Sequence, residues 1–147
     1  MEPITRQQVH LKLGVATSEV NMKFAVETSQ RLLQSQRYQN ELNAKALEAL
    51  SIVSDYIEKS VTGEQLEVAR KWATGTTWPT HALSAARWAV FSVLAYTENG
   101  EVALGYVRNR AIEVATWAEL AAGDNAWAER SLQLQCVIRL MASKGVV

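Results

Sequence analysis

Features that identify several common protein classes are scarce in this chain of 147 residues. Its one cysteine, Cys136, allows no disulfide within the chain, and its two histidines, His10 and His81, lack the paired spacing of a zinc site. The longest apolar region, residues 88–96, is interrupted by Ser92 and is far shorter than the ~18 residues of a membrane span. The N-terminal residues lack the apolar run of a signal peptide. These absences predict a soluble, cytoplasmic protein.

The chain also has no excess of charge of either sign. Lys plus Arg number 15 and Asp plus Glu number 15, so the formal net charge is zero. This balance removes the usual electrostatic reason to bind nucleic acid or an anionic membrane. The tight basic pairs Arg70–Lys71 and Arg108–Arg110 are interpreted as solvated helix faces. We therefore expect neither a nucleic-acid partner nor a membrane partner.

Motifs for catalysis are missing as well. The sequence contains no GxSxG elbow, no SxxK and no glycine-rich phosphate loop. Cys136 shares an apolar stripe with Leu132 and Leu140, which predicts a buried thiol with a raised pKa rather than a reactive thiolate. Glu113 and Glu119 are predicted on the solvent side of their helix. The sequence thus favours a protein that is not an enzyme and that needs no cofactor or metal.

Helix-forming residues are what the sequence has in abundance. With 7 glycines and 2 prolines, and with many Ala, Leu, Glu, Gln and Arg, the chain favours helix nearly everywhere. We predict a single all-helical domain, residues 1–147, folded as a compact bundle or short array of about six to seven antiparallel helices. The predicted helices are residues 3–13, 18–37, 41–59, 63–74, 80–97, 101–122 and 124–143. Helix caps are predicted at Thr62, which forms a capping box with Gln65, at Thr80 and at Asp124.

The helix predicted over 80–97 should lie in the middle of the bundle, because its polar stripe is narrow. Its inward side carries Leu83, Ala86, Val90, Val93 and Leu94, and its polar stripe carries Ser84, Arg87 and Ser92. Two aromatic residues, Trp88 and Phe91, fall inside that polar stripe and must meet a neighbouring helix or a partner.

The last helix shows two apolar stripes instead of one. One contains Trp127, Leu134, Ile138 and Met141, and the other contains Leu132, Cys136 and Leu140. Two stripes indicate two neighbouring helices, or one neighbour and a second subunit. A homo-oligomer is therefore a possible assembly.

The stretch KWATGTTWPTHALSAARW, residues 71–88, holds three of the five tryptophans. Trp72 fits the corner between two helices, whereas Trp78 precedes Pro79 in an extended connection, where a bulky ring favours a partner. The candidate protein-binding residues are Trp78, His81, Arg87, Trp88 and Phe91. The alternative is that another helix of the chain, for example the N-terminal one through Val9 and Leu13, covers these rings.

Three segments resemble a family of small all-α immunity proteins of bacteria and phages. They are LEVARKWATG, the helix start ALSAARWA, and the final helix AERSLQLQCVIRLM, and the resemblance spans residues 44–141. Leu132 stands where the family often has its final Trp. The resemblance implies a protein that binds and blocks another protein without catalysis.

These observations favour a non-catalytic inhibitor or immunity-type protein that neutralises a toxin or a defence factor. The alternative is a structural or assembly accessory protein of a phage or bacterium that acts as a homo-oligomer. A third possibility is an enzyme or small-ligand binder whose site lies between helices.

Overall fold

The structure, a computed structural model, describes residues 4–36, 40–58, 61–75 and 79–143. Within these ranges it contains seven α-helices and no strand, which confirms the predicted all-α class. The helices are α1 (Arg6–Val15), α2 (Ser18–Gln34), α3 (Glu41–Glu58), α4 (Gly63–Ala73), α5 (His81–Asn99), α6 (Leu104–Ala122) and α7 (Ala126–Ser143). Short 3-10 segments, Gly100–Ala103 and Gly123–Asn125, precede α6 and α7.

Local sequence signals set several of these helix ends. Thr62 and Gln65 form the predicted capping box, in which each side chain accepts a hydrogen bond from the other residue's backbone N–H. The Thr80 side chain caps α5 by accepting from the Leu83 N–H. Gly100 and Gly123 end α5 and α6 with positive φ angles of 63° and 57°, a region that favours glycine. The predicted cap at Asp124 is wrong, because that residue lies inside a 3-10 segment and α7 begins at Ala126.

Two helices occupy the middle of the bundle. The first, α5, packs against α2, α3, α4 and α6, and all five of its predicted inward residues are buried. Ser92, predicted in the polar stripe, is buried as well. Its burial is tolerated because its hydroxyl donates to the Ala89 carbonyl oxygen at 2.7 Å. The second central helix, α2, packs against α3, α5, α6 and α7. Its buried polar residues, Ser18, Asn21, Thr28 and Ser29, conceal this position in the sequence.

Helices α5 and α6 form an antiparallel hairpin with close axes. His81 lies near Trp117, and Phe91 lies near Arg110, so residue numbers fall along one helix as they rise along the other. Both helices bury several alanines, whose side chains are the smallest that still favour helix and so permit a close approach. They are Ala82, Ala85, Ala86 and Ala89 on α5, with Ala111, Ala115 and Ala118 on α6.

The predicted stripes of α7 are confirmed for Leu140 and Met141, which are buried, and wrong for Trp127, Leu132 and Ile138, which are exposed. Its buried residues are Glu129, Gln133, Val137, Leu140 and Met141, so the helix turns a partly polar face inward. The reason is electrostatic: Glu129 pairs with Arg31 of α2, and Gln133 donates to the Ala115 carbonyl oxygen of α6 at 3.1 Å. A set of apolar side chains on α7 is consequently left exposed, namely Trp127, Leu132 and Ile138.

Candidate protein-binding face

Five half-buried or exposed side chains from α5 and α6 form one cluster on the surface. We call it the arginine–aromatic face; its residues are Arg87, Trp88, Phe91, Tyr106 and Arg110. Of the predicted site residues, the structure therefore brings together Arg87, Trp88 and Phe91. The α5/α6 hairpin adds Tyr106 and Arg110.

Cationic and aromatic groups alternate along this face. The Arg87 and Arg110 guanidinium carbons lie 5.1 and 5.9 Å from the centroid of the Phe91 ring. The Arg110 guanidinium carbon also lies 5.8 Å from the Tyr106 ring centroid. These distances fall within the roughly 6 Å range in which a cation is attracted by the negative face of an aromatic ring. Each guanidinium thus lies over at least one aromatic ring.

The remaining geometry fixes the orientation of the cluster. The Trp88 and Phe91 rings meet edge to face, with centroids 5.8 Å apart and planes at 73°. Arg87 Nε donates to the carbonyl oxygen of Ala73 at the end of α4, at 3.0 Å, and Arg110 Nη1 donates to the Phe91 carbonyl oxygen, also at 3.0 Å. Because a helix C-terminus carries partial negative charge, the first bond also stabilises the Arg87 cation.

The lack of a carboxylate partner distinguishes Arg110 from most arginines of the described residues. Arg6, Arg31, Arg70, Arg130 and Arg139 each lie within 4.0 Å of a carboxylate. Over residues 4–36, 40–58, 61–75 and 79–143, no carboxylate approaches Arg110 that closely. A guanidinium has five N–H donors in a planar fork that matches a carboxylate. The face therefore presents a positioned positive charge that an external carboxylate can neutralise.

The other two predicted site residues are His81, which lies at the start of α5, and Trp78. His81 is exposed in the first turn of α5, as expected, with its ring centroid 5.5 Å from that of Trp117 on α6. It lies seven residues before Trp88, which is two helical turns or roughly 10 Å along the same side of α5. It also borders a shallow cavity of 310 Å³ between Gln36, Pro79 and Ala121. Trp78 lies outside the described residues.

The competing interpretation, in which the N-terminal helix covers the rings, does not match the packing. Val9 and Leu13 are buried, and α1 packs against α6 and α7. Trp88 and Phe91 rest with one side on the core, and the groups that border Phe91 from outside are Arg87 and Arg110. Trp72, predicted at a helix corner, also packs against the core.

Two carboxylates, Glu119 and Glu129, are buried and paired with arginines, and the burial of Glu119 corrects a prediction. Glu119, predicted on the solvent side, has a side chain only 3% exposed. It accepts from Arg6 Nε and from Arg130 Nη1, both at 2.8 Å, while Arg130 Nε donates to the Ile4 carbonyl oxygen at 2.7 Å. These contacts join α1, α6 and α7.

The second buried carboxylate, Glu129, joins α2 to α7. It accepts two hydrogen bonds from the Arg31 guanidinium, at 2.6 and 2.7 Å, and a third from Gln133 at 2.8 Å. Burial by itself lowers the pKa of Arg31, but the hydrogen bond and charge of Glu129 outweigh it and raise that pKa. We call the contacts of Glu119 and Glu129 the buried ion network. Its charges are matched within the fold, so it is interpreted as structural.

Cys136 has the environment that the sequence predicts for an unreactive thiol. Burial, followed by the charge of Glu27, raises the pKa of the Cys136 thiol to about 12. The sulfur lies 3.7 Å from Glu27 Oε2 and 3.7 Å from Arg139 Nη2. At neutral pH the thiolate, which is the nucleophilic form, is therefore rare.

Within residues 4–36, 40–58, 61–75 and 79–143, no group of three or more His, Cys, Asp or Glu side chains is placed to hold a metal ion. No helix in those ranges has both the length and the apolar character needed to cross a membrane. Comparison of the chain with protein-family models, curated proteins and solved structures finds no match.

Proposed function

We propose that this protein is a non-catalytic inhibitor of the immunity type, which neutralises a toxin or defence factor by binding it through the arginine–aromatic face. The observation that carries the proposal is the position of Arg110. Its guanidinium carbon lies 5.9 Å from the Phe91 ring centroid and 5.8 Å from the Tyr106 ring centroid, and no carboxylate of the described residues pairs with it. The likeness of three segments to an immunity family supports the same proposal.

The residue types of the face fit a protein partner. Trp, Tyr and Arg are the residues that most often dominate the binding energy of protein interfaces, where they sit at the centre and exclude water. Here such side chains are already ordered by ring contacts and by hydrogen bonds to backbone carbonyls. Ordering before binding reduces the conformational entropy that association must remove. A preformed face of this kind favours tight binding without catalysis.

Charge indicates which surface the partner presents. Arg110 matches a carboxylate, so we expect Asp or Glu of the target to lie opposite it. Nucleic acid is disfavoured, because the formal net charge of the chain is zero and lacks the positive excess that phosphate binding usually requires. The expected target surface is therefore acidic and apolar together.

The proposal is tested by capture and titration. The full chain, immobilised as bait in an extract of its source organism, should retain a target whose toxic activity then falls linearly on addition of the purified protein. Inhibition should be complete near equimolar ratio, since a blocking protein is consumed one for one. An enzyme would instead act at far lower ratio and in proportion to time.

A matched pair of charge reversals connects the capture to the face. Arg110→Glu should lose the target, whereas Lys45→Glu should retain it, because Lys45 is exposed on α3 and pairs with Glu41 of its own helix. Both variants change the net charge equally. Retention of the target by both variants, or loss from both, would refute the assignment of the face.

The alternative is an assembly accessory protein that acts as a homo-oligomer. It is favoured by the exposed Trp127, Leu132 and Ile138 of α7. For that function, the bait should retain structural proteins of a larger assembly and should leave the activity of any toxin unchanged.

A further inference from the structure

A row of apolar side chains runs along the outside of the bundle, where α1 and α7 pack together. Leu11 is 63% exposed, Val15 72%, Trp127 61% and Ile138 48%. Leu134 lies between the two helices, in a groove of about 350 Å³ lined by Gln8, Leu11, Lys12, Val15 and Leu134. We call Leu11, Val15, Trp127, Leu134 and Ile138 the α1/α7 strip.

Helical spacing places the members of the strip on one side of each helix, and the groove that Leu134 shares with Leu11 and Val15 joins the two sides. Leu11 and Val15 are four residues apart on α1, and Trp127, Leu134 and Ile138 are spaced by seven and four on α7, so each set follows one side of its helix. Arg130 Nε donates to the Ile4 carbonyl oxygen at 2.7 Å, which fixes the two helices beside each other. Single exposed apolar residues are ordinary, but a contiguous apolar patch usually marks an interaction site.

The charges around the strip indicate what covers it. Lys12 is the one ionisable residue that lines its groove in the described part of the chain. In a two-fold dimer each patch meets a copy of itself, so like charges come together and a nearly uncharged patch fits best. The arginine–aromatic face has the opposite character, because a second copy would place guanidinium against guanidinium.

A membrane surface fits the strip less well than a second copy. Interfacial helices flank their apolar side with several Lys or Arg residues that reach the anionic headgroups. The arginines of α1 and α7 are instead paired with carboxylates, Arg6 and Arg130 with Glu119 and Arg139 with Glu27. The formal net charge of zero also favours contact between identical chains, since no overall repulsion opposes it.

We propose that the α1/α7 strip is a self-association surface, on which a second copy of this chain docks through the same residues. This inference goes beyond the proposed function and shares no residue with the arginine–aromatic face. A standard interface buries about 800 Å² on each partner, and five side chains supply only the apolar centre of such an area. The expected dimer is therefore reversible, with dissociation in the micromolar range.

Sedimentation velocity of the purified full chain, from low micromolar to near millimolar concentration, tests this directly. The wild-type protein should shift from monomer to dimer with concentration. Leu11→Glu and Ile138→Glu should each weaken the dimer at least tenfold, because each would bury an unpaired carboxylate in the apolar contact. Val68→Glu on α4 and Leu42→Glu on α3, which alter exposed apolar residues elsewhere, should behave as wild type.

Three results would overturn the proposal. The first is a wild-type protein that stays monomeric at every concentration, and the second is a dimer that both strip variants leave unchanged. The third is co-sedimentation with phosphatidylserine vesicles that Leu11→Glu abolishes, which would assign the strip to membranes instead. Far-UV circular dichroism of each variant identifies any loss of association that arises from unfolding.

Discussion

Arginine has two different roles in two regions of this protein. Around α1, α2 and α7, Arg6, Arg31 and Arg130 bind carboxylates whose side chains are at most 4% exposed. On the α5/α6 side, Arg87 and Arg110 bind backbone carbonyls and lie over aromatic rings.

The difference separates residues that hold the fold from residues that are available to a partner. A buried carboxylate requires a counter-charge, so losing one member of such a pair leaves the other desolvated and unmatched. An arginine at the surface keeps its hydration, and its contacts with rings and carbonyls add little to stability. Variants in the buried ion network should therefore alter folding, and variants in the arginine–aromatic face should alter binding.

The largest effect is expected from Glu129→Ala. It removes the carboxylate that accepts two bonds from Arg31, whose side chain is 35% exposed, so water partly screens the arginine that is left without a counter-charge. The free energy of unfolding, measured by urea denaturation, should fall by about 2–3 kcal/mol, less than for a fully buried pair. Glu113→Ala, at an exposed glutamate of α6, is the control and should change it by less than about 0.5 kcal/mol. Equal effects of the two variants would mean that the network does not hold α7.

A double variant sharpens the interpretation of that loss. Replacing both members, as in Arg31→Met with Glu129→Leu, removes the charges together and leaves apolar groups of similar size. Such a replacement is often close to neutral for buried pairs. The double variant should therefore be more stable than Glu129→Leu alone by roughly 1–2 kcal/mol, measured in the same urea series. A double variant that is less stable than the single one would show that Arg31 stabilises the fold independently of Glu129.

A smaller effect on stability is expected in the arginine–aromatic face. Arg110→Ala removes one hydrogen bond to a backbone carbonyl and two stacking contacts at the surface. The free energy of unfolding should fall by no more than about 1 kcal/mol, the usual worth of an exposed cation–π contact. Thermal and urea unfolding both measure this change. A loss as large as that of Glu129→Ala would place Arg110 among the residues that hold the fold.

The smallest effect concerns pH, through His10 of α1. Burial lowers the pKa of His10 below its ordinary value of 6.5. The charge of Glu119 opposes this shift, and the charge of Arg6 adds to it. The unfolded chain therefore binds a proton more readily than the folded one, and the stability from His10 is present above pH 6.5 and lost as the pH falls through the folded pKa. Urea unfolding between pH 7.5 and 5 should show this decline, and His10→Gln should flatten it. A steeper decline in the variant would contradict the assignment.

The sequence predicts the apolar side of α5 better than the buried polar residues of the structure. The buried side of α5 follows from helical periodicity alone, and the caps at Thr62 and Thr80 follow from local motifs. The positions of Glu119 and Glu129 do not, because Arg6, one of the two arginines bound to Glu119, and Arg31, which is bound to Glu129, lie 113 and 98 residues away in sequence. Periodicity treats a glutamate as a surface residue and cannot identify a distant counter-charge.

The same limit applies to the candidate site. Arg87, Trp88 and Phe91 are identifiable because they interrupt the pattern of a buried helix. Tyr106 and Arg110 belong to the next helix, and they reach the face only through the register of the α5/α6 hairpin. A hairpin centred on Gly100 would have placed residue 110 opposite residue 91. Arg110 can be placed at the site from the sequence only once α5 and α6 are taken as an antiparallel pair.

The most direct test of the account is the affinity of the captured target for wild-type protein and for Arg110→Glu, measured by calorimetric titration. Arg110→Glu should weaken binding at least tenfold, because the reversed charge repels the carboxylate expected opposite Arg110. The variant should keep nearly the wild-type free energy of unfolding. Wild-type affinity in the Arg110→Glu variant would contradict the account.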